Sequence, residues 1–382
     1  MLHNNKQYLI ITIILFFFFS PFNGCQNAKK EEDVKIGAVL TLTGSLADLG
    51  NHSKNGLLTG VNLINKKGGI KGRKISLFLE DSKTDPKSAV AAITKLINID
   101  KVKYIIGDLS SGTTLAMAPI AEQSKVVLLA PGASNPQMRE AGDFIFRNWV
   151  SDEFDGNVAA SYAIQKLNIK TFSIIEQQNT YCKGLSEAFQ STVQNNNGRV
   201  ILITPIQDNS LNNRDAVIKI ISSNSEAVYI ATHTKEGASA VRQLRESGYK
   251  GEIISNLVVE SPDFAKLAKG AMEGIIYTAP FLNEKASTGI ITEFFKEYEK
   301  QFGDKPDAAA AHAFDAINIL TYAIENAKTD SSIDVKNYFY TIKNYPGASG
   351  DTSFDINGDI IKPLTVKKFK NGSYVELEVF KP

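Results

Sequence analysis

Residues 105–114 read IIGDLSSGTT. They close a longer run, VKYIIGDL (102–109), whose apolar positions are consecutive rather than alternating. Such a run describes a strand buried on both faces, as in a parallel sheet covered by helices on either side. The strand then breaks at Asp108 into hydroxyls and glycine and leads into a helix. A strand end of this kind can be a nucleophile elbow, a phosphate cradle or a seat for another anion.

The same pattern extends in both directions. Strand-like runs occur at 34–41, 74–81, 126–132, 171–176, 200–206, 227–232 and 252–256. Between them, 54–66, 86–98, 151–167, 182–194, 212–222 and 235–247 carry apolar residues at three- and four-residue spacing. Strands alternating with helices predict crossover units and parallel sheets, hence an α/β fold of two doubly wound lobes. After Pro280 the order changes to helices at 287–302, 307–327 and about 332–343. Strand-like SFDI, PLTVKKF and SYVELEVF finish the chain, and Asn371-Gly372 predicts a hairpin turn between the last two.

The N-terminus stands apart. YLIITIILFFFFSPF is a short apolar stretch after Lys6, and predicts a secretory signal over 1–24. Gly24-Cys25 resembles a bacterial lipobox, which predicts a lipid on the Cys25 thiol, with 25–33 as a polar stalk and the domain anchored outside a membrane. About 358 residues remain beyond Gly24, enough for two cores. They hold 41 basic against 41 acidic residues, so net charge gives no case for nucleic acid. Cys182 is the only cysteine after Cys25, which excludes a disulfide within the exported domain.

The opening stretch fails two of its three readings. An elbow needs G-x-S-x-G followed by an acid and a histidine; here the order is G-D-L-S-S-G, and His52, His233 and His312 have no evident acidic orienter. A phosphate loop needs Lys-Ser/Thr after its second glycine, where Thr113 and Thr114 stand instead. The scattered histidines also lack metal-ligand spacing, so no catalytic group, metal or cofactor is expected. What remains is either a neutral anion seat formed by Ser111, Thr113, Thr114 and free N–H groups at a helix start, or simple capping by Ser111. A second turn of this type, APGASNP (130–136), follows the next strand and favours a ligand, because adjacent parallel strands set two small-residue turns side by side.

With both turns in view, the chain resembles a family: exported solute-binding proteins of branched-chain amino-acid-type ABC transporters, the type I periplasmic binding proteins. IGAVLTLTGSLADLG resembles the family's first strand and turn. NGLLTGVNLINKKGGIKGRKISLFLEDSKTDPKSAV is similar to its first helix and its D-x-x-x-D-P-x-x-A run at Asp81, Asp85, Pro86 and Ala89. GDLSSGTTLAMAPIAE and APGASNP match its ligand-facing turns. RNWVSDEFDG resembles its first crossing, and AHAFDAINIL its Tyr-Asp-Ala helix with Phe314 for tyrosine.

The resemblance implies a monomeric, non-enzymatic protein whose two lobes, joined by three crossings near 150, 280 and 356, close on a small molecule and meet an ABC permease. Lobe 1 would be 34–150 plus 280–356 and lobe 2 would be 151–279 plus 357–382. It implies that Ser111 binds a ligand carboxylate, with Leu109 and Ser110 on the same turn. It also implies that Gly132, Ala133 and Ser134 offer a carbonyl, amide and hydroxyl, and that Tyr181 and His233 cover the ligand from the second lobe. Two positions depart from the pattern. Leu257 stands where amino-acid binders place an acid against the ligand ammonium, which argues against a simple α-amino acid. Glu260, three residues on, is the candidate substitute. Leu49 replaces a common pocket aromatic.

Overall fold

The computed structural model describes residues 1, 32–282 and 289–381. The signal, Cys25 and nearly all of the stalk lie outside the described residues. Asp33–Pro382 forms one compact unit, and among the described residues no helix is long and apolar enough to cross a membrane.

Two sheets organise that unit. The first contains β1 (Val34–Leu40), β2 (Ile75–Asp81), β3 (Tyr104–Gly107), β4 (Val127–Ala130) and β5 (Ile145–Arg147), all parallel in the order β2-β1-β3-β4-β5. Helices α1 (Ala47–Lys66), α2 (Pro86–Asn98) and α3 (Ser111–Ser124) make its crossovers. The continuous apolar runs have a direct cause. On β1, Ile36, Ala38 and Leu40 face α1, while Val39 faces α2 and α3. β3 and β4 divide their side chains in the same way, with every residue buried.

The second sheet follows the helix α4 (Asp152–Leu167). Its strands are β6 (Thr171–Gln177), β7 (Arg199–Ile206), β8 (Ala227–Ala231), β9 (Glu252–Ser255) and β10 (Ile276–Pro280). They alternate with helices α5 (Thr180–Asn195), α6 (Arg214–Ser223), α7 (Thr234–Glu246) and α8 (Pro262–Ala268). Val228 and Ile230 of β8 pack against α6 and α7, and Ala227, Tyr229 and Ala231 against α4 and α5.

The chain then returns to the first sheet. Among α9 (Gly289–Phe302), α10 (Ala308–Asn326) and α11 (Ser332–Phe339), α10 contributes Ala313, Ile317 and Leu320 to the same core face as α1. A small hairpin follows, β11 (Ser353–Phe354) with β12 (Ile360–Ile361). Then β13 (Leu364–Lys370) and β14 (Ser373–Phe380) complete the second sheet as an antiparallel edge, order β14-β13-β10-β9-β8-β6-β7. Asn371 and Gly372 both have positive φ, 52° and 76°, as the tight turn between paired Lys370 and Ser373 requires.

The fold class expected from the sequence is the one found. Three strands were missing from the sequence reading: β5, β10 and the two-residue β12. β5 has three residues, too few to show a period, and β10 (Ile276–Pro280) runs straight into a proline that reads as a loop. The third passage between sheets also falls later than 356. Phe354 is buried in the first core and Gly358 O accepts from Arg147 N (3.1 Å), so the chain leaves that lobe only near Lys362.

Candidate ligand site between the two sheets

The opening stretch is tied down by Asp108. Its buried carboxylate accepts hydrogen bonds from Thr41 N (3.0 Å), Leu109 N (2.6 Å) and Thr113 Oγ1 (2.8 Å), and from the Ser82 hydroxyl. These donors gather the ends of β1, β2 and β3 around the start of α3. Burial nonetheless pushes the carboxyl up to about 6. Asp108 therefore shapes the turn from beneath.

Ser110 caps α3, accepting from Thr113 N at 3.5 Å. Ser111 is not the cap. Its Oγ accepts from Ser134 N and Asn135 N, both at 3.2 Å, and so joins the two turns. A hydroxyl that already accepts twice keeps its proton for an acceptor, and a carboxylate oxygen is such an acceptor.

The second turn is shaped by close approach. A Cβ on Gly132 would lie 2.3 Å from Leu109 Cδ2, so glycine lets Leu109 lie across the turn. Ala133 is wholly buried against the α2–α3 core and offers only its backbone. Arg147, itself buried, donates through Nη1 to Ser134 O (2.7 Å) and Asn135 O (3.1 Å), and through Nη2 to Asp359 Oδ2 (2.6 Å).

The second lobe faces these turns with the start of α5. Asn179 caps it by accepting from Cys182 N (2.9 Å). Asn135 Nδ2 donates to Thr180 O (2.8 Å), joining the two lobes directly. Tyr181 stacks on His233, with centroids 5.4 Å apart and planes at 17°. His233 N donates to Gln177 Oε1 (2.7 Å), and burial pushes the ring down to about 4, so it is neutral at pH 7. From His233 a cleft opens outward between Leu46, Asp48 and Leu49 of the first lobe and Asp208, Lys235 and Asp263 of the second; of the residues expected at the site only His233 lines it.

Leu257 and Glu260 are placed differently. Leu257 packs among apolar residues that include Trp149, Ile276 and Val366. Glu260 accepts from Lys367 Nζ (2.7 Å) and Tyr277 OH (2.9 Å), so its carboxylate is already engaged, and it does not line the cleft. Asp152, in SDEFDG, was read from sequence only as part of a crossing. It is 1 % exposed, its backbone N donates to Ser134 O (2.9 Å), the Ser134 side chain holds its carboxyl, and burial pushes that carboxyl well above the usual range. Cys182 is buried and its thiol is pushed well up, so it is not a poised nucleophile. Among the described residues no cluster could hold a metal ion.

Two α/β lobes thus meet at these turns. The chain belongs to the periplasmic binding protein family, whose model matches residues 33–373. It is 27% identical over 355 residues to the Leu/Ile/Val-binding protein homolog 3 of Brucella melitensis, covering 91% of this chain and 94% of that protein. Among solved structures it is similar to the leucine-binding protein LivK of Thermotoga maritima, with a TM-score of 0.84 and 28% identity over 91% of this chain and 99% of that one. It is also similar to the branched-chain amino acid transporter substrate-binding protein LivJ of Streptococcus pneumoniae, in complex with isoleucine. There the TM-score is 0.83 and the identity 25%, over 92% and 100% of the two chains.

Proposed function

We propose that this chain is the extracytoplasmic solute-binding lipoprotein of an ABC importer, capturing a small amino-acid-like, amide or carboxylate ligand between its lobes. The observation that carries the reading is the Ser111 hydroxyl. It is fixed by two amides of the facing turn, free to donate, and set at the start of α3 where the helix favours negative charge. Relatives named for leucine or for Leu/Ile/Val binding support an amino-acid-like ligand. The ligand would favour the closed arrangement, and a membrane permease would recognise it.

Replacing Ser111 with alanine is expected to weaken ligand binding at least about tenfold while the protein stays folded, because one donor to a charged group is lost. Calorimetry with circular dichroism checks this, and unchanged affinity would return Ser111 to a purely structural role. The anchor is part of the proposal. Palmitate labelling of cells should mark the wild-type protein and miss Cys25→Ser; equal labelling of both would remove the lipid from Cys25.

The second reading, a receptor that reports its ligand to a signalling partner, requires the same site. Transport of the bound ligand by cells, abolished on deleting this chain, separates importer from sensor.

A further inference from the structure

The first sheet has a basic end. Its strands are parallel, so their starts lie together on the side opposite the turns that follow β3 and β4. The loop leading into β2, residues 65–74, carries Lys66, Lys67, Lys71, Arg73 and Lys74 and no acid. Lys101 and Lys103 stand before β3, and Lys125 stands before β4. Only part of this charge is answered. Asp330 pairs with Arg73 (3.2 Å) and lies 3.8 Å from Lys103, and Glu293 pairs with Lys67. Lys66, Lys74, Lys101 and Lys125 are exposed and have no ion pair among the described residues. Glu140 and Asp143 stand apart, before the edge strand β5.

The backbone gives these lysines a poor structural reason to be there. Lys71, Lys101 and Lys125 have φ of 50°, 58° and 53°, in the left-handed region that favours glycine and asparagine. The turns before β6, β7 and β8 of the second sheet meet the same demand with Asn168, Asn197 and Asn224, at 58°, 60° and 52°. Among the described residues of the second lobe, Lys269 is the one lysine in this conformation. A lysine serves such a turn less well than asparagine, which leaves its charge as the reason for it.

The point where the chain enters the domain identifies what that charge meets. Asp33 Oδ2 accepts from Ser76 Oγ (2.9 Å) and Val34 N donates to Lys74 O (2.8 Å), so the chain joins the domain within the basic end. From a lipid on Cys25, residues 26–33 reach at most about 28 Å when fully extended. The tether therefore holds this end close to the headgroups.

We propose that the basic end of the first lobe rests on anionic phospholipid headgroups, with the ligand turns directed away from the bilayer. The inference rests on the lipid-anchor reading above. A lipid chain keeps the domain at the membrane without orienting it. The lysines supply the orientation, through an attraction that acts within a Debye length of the surface.

The test uses the exported protein purified with its lipid and floated with vesicles of phosphatidylcholine alone, or of phosphatidylcholine mixed equally with phosphatidylglycerol. A water-soluble acetylating reagent labels exposed lysines, and mass spectrometry reads each rate. Lys66, Lys74, Lys101 and Lys125 should label at least about threefold more slowly on the anionic vesicles, and high salt should remove the difference. Lys170 and Lys250, exposed at strand starts of the second lobe, should label alike on both. Lys101→Asn combined with Lys125→Asn suits the backbone and should fold, while the protection of Lys66 and Lys74 falls by at least about half. Equal rates on both vesicles in a chain that floats, or the same slowing at Lys170 and Lys250, overturn the proposal and leave the anchor standing. A chain that floats with neither vesicle has no anchor, and the proposal falls with that reading.

Discussion

Replacing Arg147 with alanine is expected to destabilise the protein by about 3–5 kcal/mol and to abolish ligand capture. The estimate follows from what the guanidinium holds. It is 1 % exposed and pairs with Asp359, which is 8 % exposed at its side chain. It also satisfies the carbonyls of Ser134 and Asn135. Removing it leaves a carboxylate with only Arg139 Nε at 3.3 Å, and two buried carbonyls lose a charged donor. The same two residues present the amides that fix Ser111, so the stability loss and the binding loss share one cause. Arg147→Lys should recover only part of either, because an ammonium cannot reproduce the planar fork across three acceptors. Urea denaturation read beside calorimetry checks the claim. A loss below about 1 kcal/mol with binding intact would mean that the turn is held by its own backbone.

The second large effect is expected at Lys362, where the chain leaves the first lobe. Its ammonium is buried, donates to Asn148 Oδ1 (2.9 Å) and Ser349 Oγ (2.6 Å), and lies 3.7 Å from Asp315 Oδ2. Asp315 accepts from Ala348 N (2.7 Å) and Ser349 N (2.8 Å). The cluster therefore joins the first passage between lobes, at Asn148, to the third, at Lys362, through α10 and the loop at 348–349. Burial drives both partners towards neutrality, Asp315 upward and Lys362 down to about 8. Desolvation outweighs attraction on each side, so the pair acts as a positional device more than a source of stability. Lys362→Met alone should cost about 3–5 kcal/mol, because it strands the Asp315 carboxylate. Adding Asp315→Asn should recover much of that loss, and chemical denaturation of the single and double variants reads the difference. Equal stability of Lys362→Met and wild type would show that the pair is not buried in solution.

The fold was legible because its signal is redundant. The central strands of the parallel cores are buried on both faces, so their apolar runs are continuous, and the pattern recurs along the chain. β5 escaped because three residues carry no period, although it holds Arg147 at its end. The site was legible in part. Ser111 and the 132–134 turn lie on strand ends, where composition alone marks an open turn. Glu260 could not be judged from sequence, because the lysine that occupies it, Lys367, is 107 residues away on β13. The burial of Asp152 was hidden because it depends on Ser134, Asn135 and Gly184 arriving around it from two lobes. Leu257 was weighed for its missing charge, while the structure packs it against the apolar cluster that includes Trp149.

A thermal-shift panel of amino acids, aliphatic amides, urea-like compounds and small carboxylates tests the central claim most directly. At about a hundred times its dissociation constant, a ligand of the cleft should stabilise the protein by about 2.7 kcal/mol. The account predicts that the largest shifts come from compounds bearing a carboxylate, and that they shrink in Ser111→Ala. A panel in which no carboxylate shifts the transition, or in which Ser111→Ala responds as strongly as wild type, would contradict it.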